Sequence, residues 1–117
     1  MKKLNKWIDY DFESSSGLTP EFAEFAKDIK SYIKNNNSQE FELKNFSRGH
    51  FYFSGFLMNR ATGKYVYFSC SDVRHFSNAW NDNLLIRTAE HDKDYTGGRN
   101  NNCNLSELFD KVKQLSD

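Results

Sequence analysis

Apolar residues recur at helical spacing near both ends of the chain and at strand spacing between them. Phe22, Phe25, Ala26, Ile29 and Ile33 form one stripe of a 3.6-residue period. Thr19-Pro20 supplies a hydroxyl N-cap and a proline at the first helical position, and Asn35-Asn36-Asn37 stops the run, so a helix is predicted over 20–34. Leu105, Leu108, Phe109, Val112 and Leu115 give a second stripe. Asn104 and Glu107 open it as a capping box, with Cys103 placed to staple onto Leu108.

Between the helices the period changes to two. Phe41 and Leu43 alternate with Glu40, Glu42 and Lys44, as in a half-buried strand. His50 to Met58 and Tyr65 to Phe68 are aromatic strands joined by a turn over Asn59–Gly63, which reads as a hairpin. Residues 71–82 are a connection, and Leu84 to Ala89 a fourth strand. The expected fold is therefore α+β, with a four-stranded, mainly antiparallel sheet and helices at the two ends, in the order α-β-β-β-β-α. Residues 1–117 form one domain. Residues 1–18 are read as an extended or partly flexible segment, whose Trp7, Ile8, Tyr10 and Phe12 could dock on the body.

The hairpin strands are apolar or aromatic on both faces, whereas two helices cover only one. Tyr52, Tyr65 and Tyr67 are thus candidate contacts on a second sheet face. That face would be met by a partner, by a second copy in a homodimer, or by the 1–18 segment.

Composition removes several classes. Sixteen basic and sixteen acidic side chains leave a net charge of zero and a pI near 6.8. That argues against a nucleic-acid coat and gives no polybasic membrane anchor. Aromatic strands can stack on single-stranded bases, but the RNP1 pattern is missing. No apolar run has the length of a signal peptide or a bilayer span, so a cytoplasmic protein is expected. Cys70 and Cys103 sit in no CxxC pair and read as reduced structural thiols. All five arginines (Arg48, Arg60, Arg74, Arg87, Arg99) lie in the middle of the chain.

The densest chemistry lies in Leu84 to Asn104. Arg87, His91, Asp94, Tyr95, Thr96, Gly97, Gly98, Arg99 and Asn100 are the candidate ligand or partner contacts. Gly97-Gly98 before a helix, with Arg87 and Arg99, could turn N–H groups onto a phosphate or carboxylate. Gly98→Val would then remove the site and leave the fold intact. The bland reading is an ordered surface loop, with Asp94 organising it through an Asx turn or a pair with Arg99. His91, Asp92 and Asp94 offer at most three metal ligands with no second cluster. Ser69, Cys70 and Ser71 near Asp72 and His75 could be drawn as a nucleophile and base, but no nucleophile-elbow motif supports this. No catalytic residue, metal or cofactor is assigned.

Ile86-Arg87-Thr88-Ala89, followed by Asp94-Tyr95-Thr96-Gly97-Gly98 and Asn100, resembles small phage and mobile-element proteins of low-GC bacteria. Thirteen asparagines against five alanines fit AT-rich coding. That resemblance carries no assigned activity. It implies a host–parasite setting, in which a small folded protein binds and blocks a larger machine, as anti-CRISPR and anti-restriction inhibitors do. The leading expectation is a non-catalytic module that binds a host or phage protein. The alternative is a small-ligand or nucleotide/phosphate-binding protein, with or without enzymatic activity, using Gly97-Gly98 with Arg87 and Arg99.

Overall fold

A computed structural model of the chain describes residues 2–7, 10, 20–49, 51–73 and 79–117. Thr19, His50, Arg74, His75, Ile8 and Phe12, which figured in the expectations above, lie outside the described residues.

The fold is α+β, with helices packed against an antiparallel sheet, but the sheet has five strands rather than four. Strands β1 (Phe41–Arg48), β2 (Phe53–Asn59), β3 (Tyr65–Cys70), β4 (Leu84–Ala89) and β5 (Asn101–Cys103) lie side by side in chain order, every neighbour antiparallel. The fifth strand escapes an alternation test because it is three residues long and two of them are exposed asparagines. Its position is set by pairing, Leu84 opposite Cys103 and Ile86 opposite Asn101.

The register sorts the side chains into two faces. On one face Phe53 lies opposite Cys70, Leu57 opposite Val66, and Phe68 opposite Ile86. These residues join the buried stripes of α2 (Pro20–Asn35) and α4 (Leu108–Ser116) in one core cluster. Phe22, Phe25, Ile29 and Ile33 of α2, and Leu108 and Val112 of α4, are fully buried in it, as their helical spacing predicts. Phe109 is only half-buried at the edge, stacked on Phe41 and Tyr32.

Both long helices end as the sequence suggests. The Asn36 and Asn37 side-chain amides donate to the Tyr32 and Ile33 carbonyls, satisfying the last turn of α2. Asn104 accepts the Glu107 N–H at 3.0 Å, the Glu107 carboxylate returns to the Asn104 N–H, and a single 3₁₀ turn (Leu105–Glu107) leads into α4. At the far end, the Thr62 hydroxyl donates to the Ser116 carbonyl at 2.6 Å and the Asn59 amide to the Ser116 hydroxyl at 3.1 Å. The β2–β3 turn thus clamps the end of α4.

The start of the chain is docked rather than extended at the described residues. A four-residue helix α1 (Lys2–Asn5) precedes Trp7, whose indole N–H donates to Asp28 at 2.9 Å and whose ring meets Phe25 edge-on. Leu4 and Trp7 are buried in the core cluster beside α2. They therefore close the helix side of the molecule, not the second sheet face. A short α3 (Ala79–Asp82) seats Trp80 against Phe25.

The outer face carries Phe56 opposite Tyr67, Met58 opposite Tyr65, Ser54 opposite Ser69, and Arg87 opposite Tyr67. Phe56 is completely buried yet stands outside the core cluster. Something other than the helices must cover it.

Candidate functional site

The cover is the segment 90–100, which joins β4 to β5 and folds back over the outer face. Its contacts start on β1. Asn45 takes a left-handed backbone (φ 51°) at a bulge between Lys44 and Ser47, where two residues oppose Gly55. The bulge turns Phe46 into the core, stacked on Phe53, and sends the Asn45 side chain to the outer face. There its amide donates to the Asp92 carbonyl at 2.9 Å and to the Tyr95 hydroxyl at 3.1 Å. A slip in the apolar spacing, Phe41 and Leu43 and then Phe46, is the trace of this bulge in the sequence.

Tyr95 is the centre of the cover. Its ring stands edge-on to Phe56 at 5.3 Å and to Tyr67 at 5.7 Å. Each such pair adds about 0.5–1.5 kcal/mol beyond the area it buries. From below, Arg87 holds its guanidinium carbon 4.7 Å from the Tyr67 ring centre, donates to the Tyr95 carbonyl, and reaches the Asn100 side-chain oxygen at 3.4 Å. Its Nε is buried with no hydrogen-bond partner among the described residues. Arg87 is therefore engaged as a strut under the loop.

Asp94 organises the turn itself. Its carboxylate accepts the Glu90 N–H at 3.0 Å, the Thr96 N–H at 3.2 Å and the Gly97 N–H at 2.9 Å. These amides, led by that of Glu90, hold the carboxyl below its ordinary value. The backbone does form an anion-holding turn, and the anion it holds is the chain's own. Arg99 makes no ion pair with Asp94, so the first of the two expected ways of ordering the loop is the one used.

The glycines serve the same packing. Gly98 has φ +75°, and a Cβ there would stand 2.5 Å from the Thr88 carbonyl oxygen. A Cβ on Gly97 would meet the Asp94 carboxylate at 2.3 Å. Gly98 is thus needed for close approach to β4, which corrects the expectation that Gly98→Val leaves the fold intact.

The loop brings together Arg87, Asp94, Tyr95, Gly97, Gly98 and Asn100, and presents His91, Lys93, Tyr95, Thr96, Arg99 and Asn100 outward. Tyr95, at 43% exposure, and Tyr52, at 41%, are the exposed large hydrophobics among the described residues. Tyr65 and Tyr67 are half-buried on the outer face, and Tyr52 precedes β2 with its ring against Gly49. The outer face is accordingly not bare. Asn45, Phe56 and Thr88, which seat the loop, carried no sequence signal of that role.

Chemistry elsewhere is subdued. Burial pushes the Cys70 thiol up to about 12 and the Cys103 thiol up to about 11, and both cysteines are free. Neither offers a thiolate near neutral pH. Ser69, Cys70, Ser71 and Asp72 line a cleft of about 230 Å³ with Asn83, Leu85 and Asn102. Among the described residues no three of His, Cys, Asp and Glu gather as a metal site, and no helix is long and apolar enough to cross a membrane.

No family model matches this chain, and no curated protein or solved structure does either.

Proposed function

We propose that the chain is a non-catalytic protein-binding module of a phage or mobile element, and that segment 90–100 is its binding surface. One observation carries this reading: the segment is fixed from within. Asp94, Arg87 and Asn45 use their polar groups to hold the loop, and the outward residues are left for a partner. A rigid loop with one amphipathic aromatic at its centre loses little conformational freedom on binding, which favours recognition of another protein. The setting of a host-defence inhibitor of the anti-CRISPR or anti-restriction kind rests on the resemblance of the Ile86–Asn100 stretch to small phage and mobile-element proteins, a stretch that coincides with this loop and the strand beneath it.

A phosphate or nucleotide at Gly97-Gly98 has less support, since the Thr96 and Gly97 N–H groups and Arg87 already have partners. The test is capture from a lysate of a low-GC bacterial host, run side by side with wild type and a Tyr95→Ala, Arg99→Glu variant. The wild type should retain a protein that the variant loses. Equal retention by both, or a thermal shift with nucleotides alone, would overturn the reading.

A further inference from the structure

A second surface lies along the β1 edge of the sheet; it adjoins the 90–100 loop at Asn45, which lines it, but none of the loop's outward residues does. Among the described residues β1 pairs only with β2, and no described strand lies on its other side. The Arg60 N–H donates to the Glu40 carbonyl at 3.0 Å, which sets the phase of the ladder. Glu42 and Lys44 then turn their backbone groups toward β2, while Phe41 and Leu43 present theirs to the open edge. A groove of about 520 Å³ runs along this edge. Phe41, Leu43 and Phe46 form its apolar floor, and Lys30 and Lys34 of α2 overhang it. Glu42 and Arg60 line it from the outer-face side.

The charge of the groove is unbalanced. Lys30, Lys34 and Arg60 are exposed, and none has an ion pair with a described residue. Glu42, the acid of the groove, is taken by Lys44 at 3.0 Å. We infer that the β1 edge and this groove bind an acidic peptide segment of a partner, added to the sheet as a sixth strand. Backbone groups at Phe41 and Leu43 supply the ladder hydrogen bonds, and cations on both walls meet carboxylates on either face of the incoming strand. A second copy of this chain fits poorly, because pairing two β1 edges would set the same cations against each other. The bulge at Asn45 ends the flat part of the edge and so fixes where the added strand must stop.

The test uses a fluorescent peptide of alternating valine and glutamate, its lysine counterpart, and a version of the acidic peptide N-methylated at alternate residues. Anisotropy with the full chain should show binding of the acidic peptide, weakening with salt, and no binding of the lysine peptide. N-methylation on the pairing edge should weaken binding by about tenfold, since it removes ladder hydrogen bonds. Lys34→Glu with Arg60→Glu, both exposed, should also lose about tenfold or more while the melting temperature stays unchanged. Absence of binding, indifference to N-methylation, or light scattering that shows the edge consumed by self-association would each overturn the proposal. Arg99→Glu, an exposed change on the loop's outward side, should leave peptide binding intact, which keeps this surface distinguishable from the loop.

Discussion

The Tyr95 ring meets the fully buried Phe56 ring edge-on at 5.3 Å, so a residue of the β4–β5 loop closes the face of a strand more than thirty positions earlier. This contact joins the binding loop to the sheet and makes the loop part of the fold. Tyr95→Ala should cost about 1–3 kcal/mol through two lost ring pairs and newly exposed Phe56 area. Urea denaturation would measure it. A change below about 0.3 kcal/mol would mean the loop does not cover the outer face.

Asp94 should set the acid limit of the loop. Its folded value lies below the ordinary 3.8, because the Glu90, Thr96 and Gly97 amides favour the carboxylate. The contribution is therefore complete above that ordinary value, including at neutral pH, and is lost as pH falls through the lowered folded value. The Thr96 and Gly97 amide resonances should titrate with a midpoint below 3.8, and Asp94→Asn should abolish that transition. A midpoint at or above 3.8 would show that the carboxylate is not held.

Gly98→Ala should destabilise by about 1–3 kcal/mol, since it forces a side chain into a left-handed backbone and against the Thr88 carbonyl. Gly63, also at positive φ but in open space, serves as the control for backbone strain alone. Equal effects at the two positions would remove the close approach to Thr88 as a cause.

Phe25→Ala should cost about 3–5 kcal/mol, because the ring is fully buried between Trp7, Trp80 and Phe53. Phe109→Ala should cost less, about 1–3 kcal/mol, since that ring is half-buried. The order of the two midpoints in chemical denaturation checks the helix faces.

Cys70 and Cys103 should both resist a thiol reagent at about pH 8 in the folded chain and react once it is unfolded, because burial raises both thiols. Rapid modification of either in the native state would contradict its burial.

The two long helices, four of the strands and the Asn104–Glu107 box were legible because each depends on neighbours in sequence. β5 and α1 were not. Two exposed asparagines have no alternation to read, and a four-residue helix is held by Leu4 and Trp7 packing beside α2. The candidate loop was legible as a place rich in chemistry, but its arrangement was not. Its anchors are Asn45, which is 47 and 50 positions from its partners Asp92 and Tyr95, and Phe56 beneath the ring. Nothing local to residues 90–100 reveals them. The glycine pair pointed to an anion site, and the structure fills that turn with Asp94.

The central claim is that this loop is held by its own carboxylate and is therefore a preformed protein surface. The most direct measurement is amide hydrogen exchange at Thr96 and Gly97, with and without inorganic phosphate. Slow exchange that phosphate does not change is the expected result. Fast exchange in buffer that slows when phosphate is added would contradict the account and return the loop to the role of an anion site.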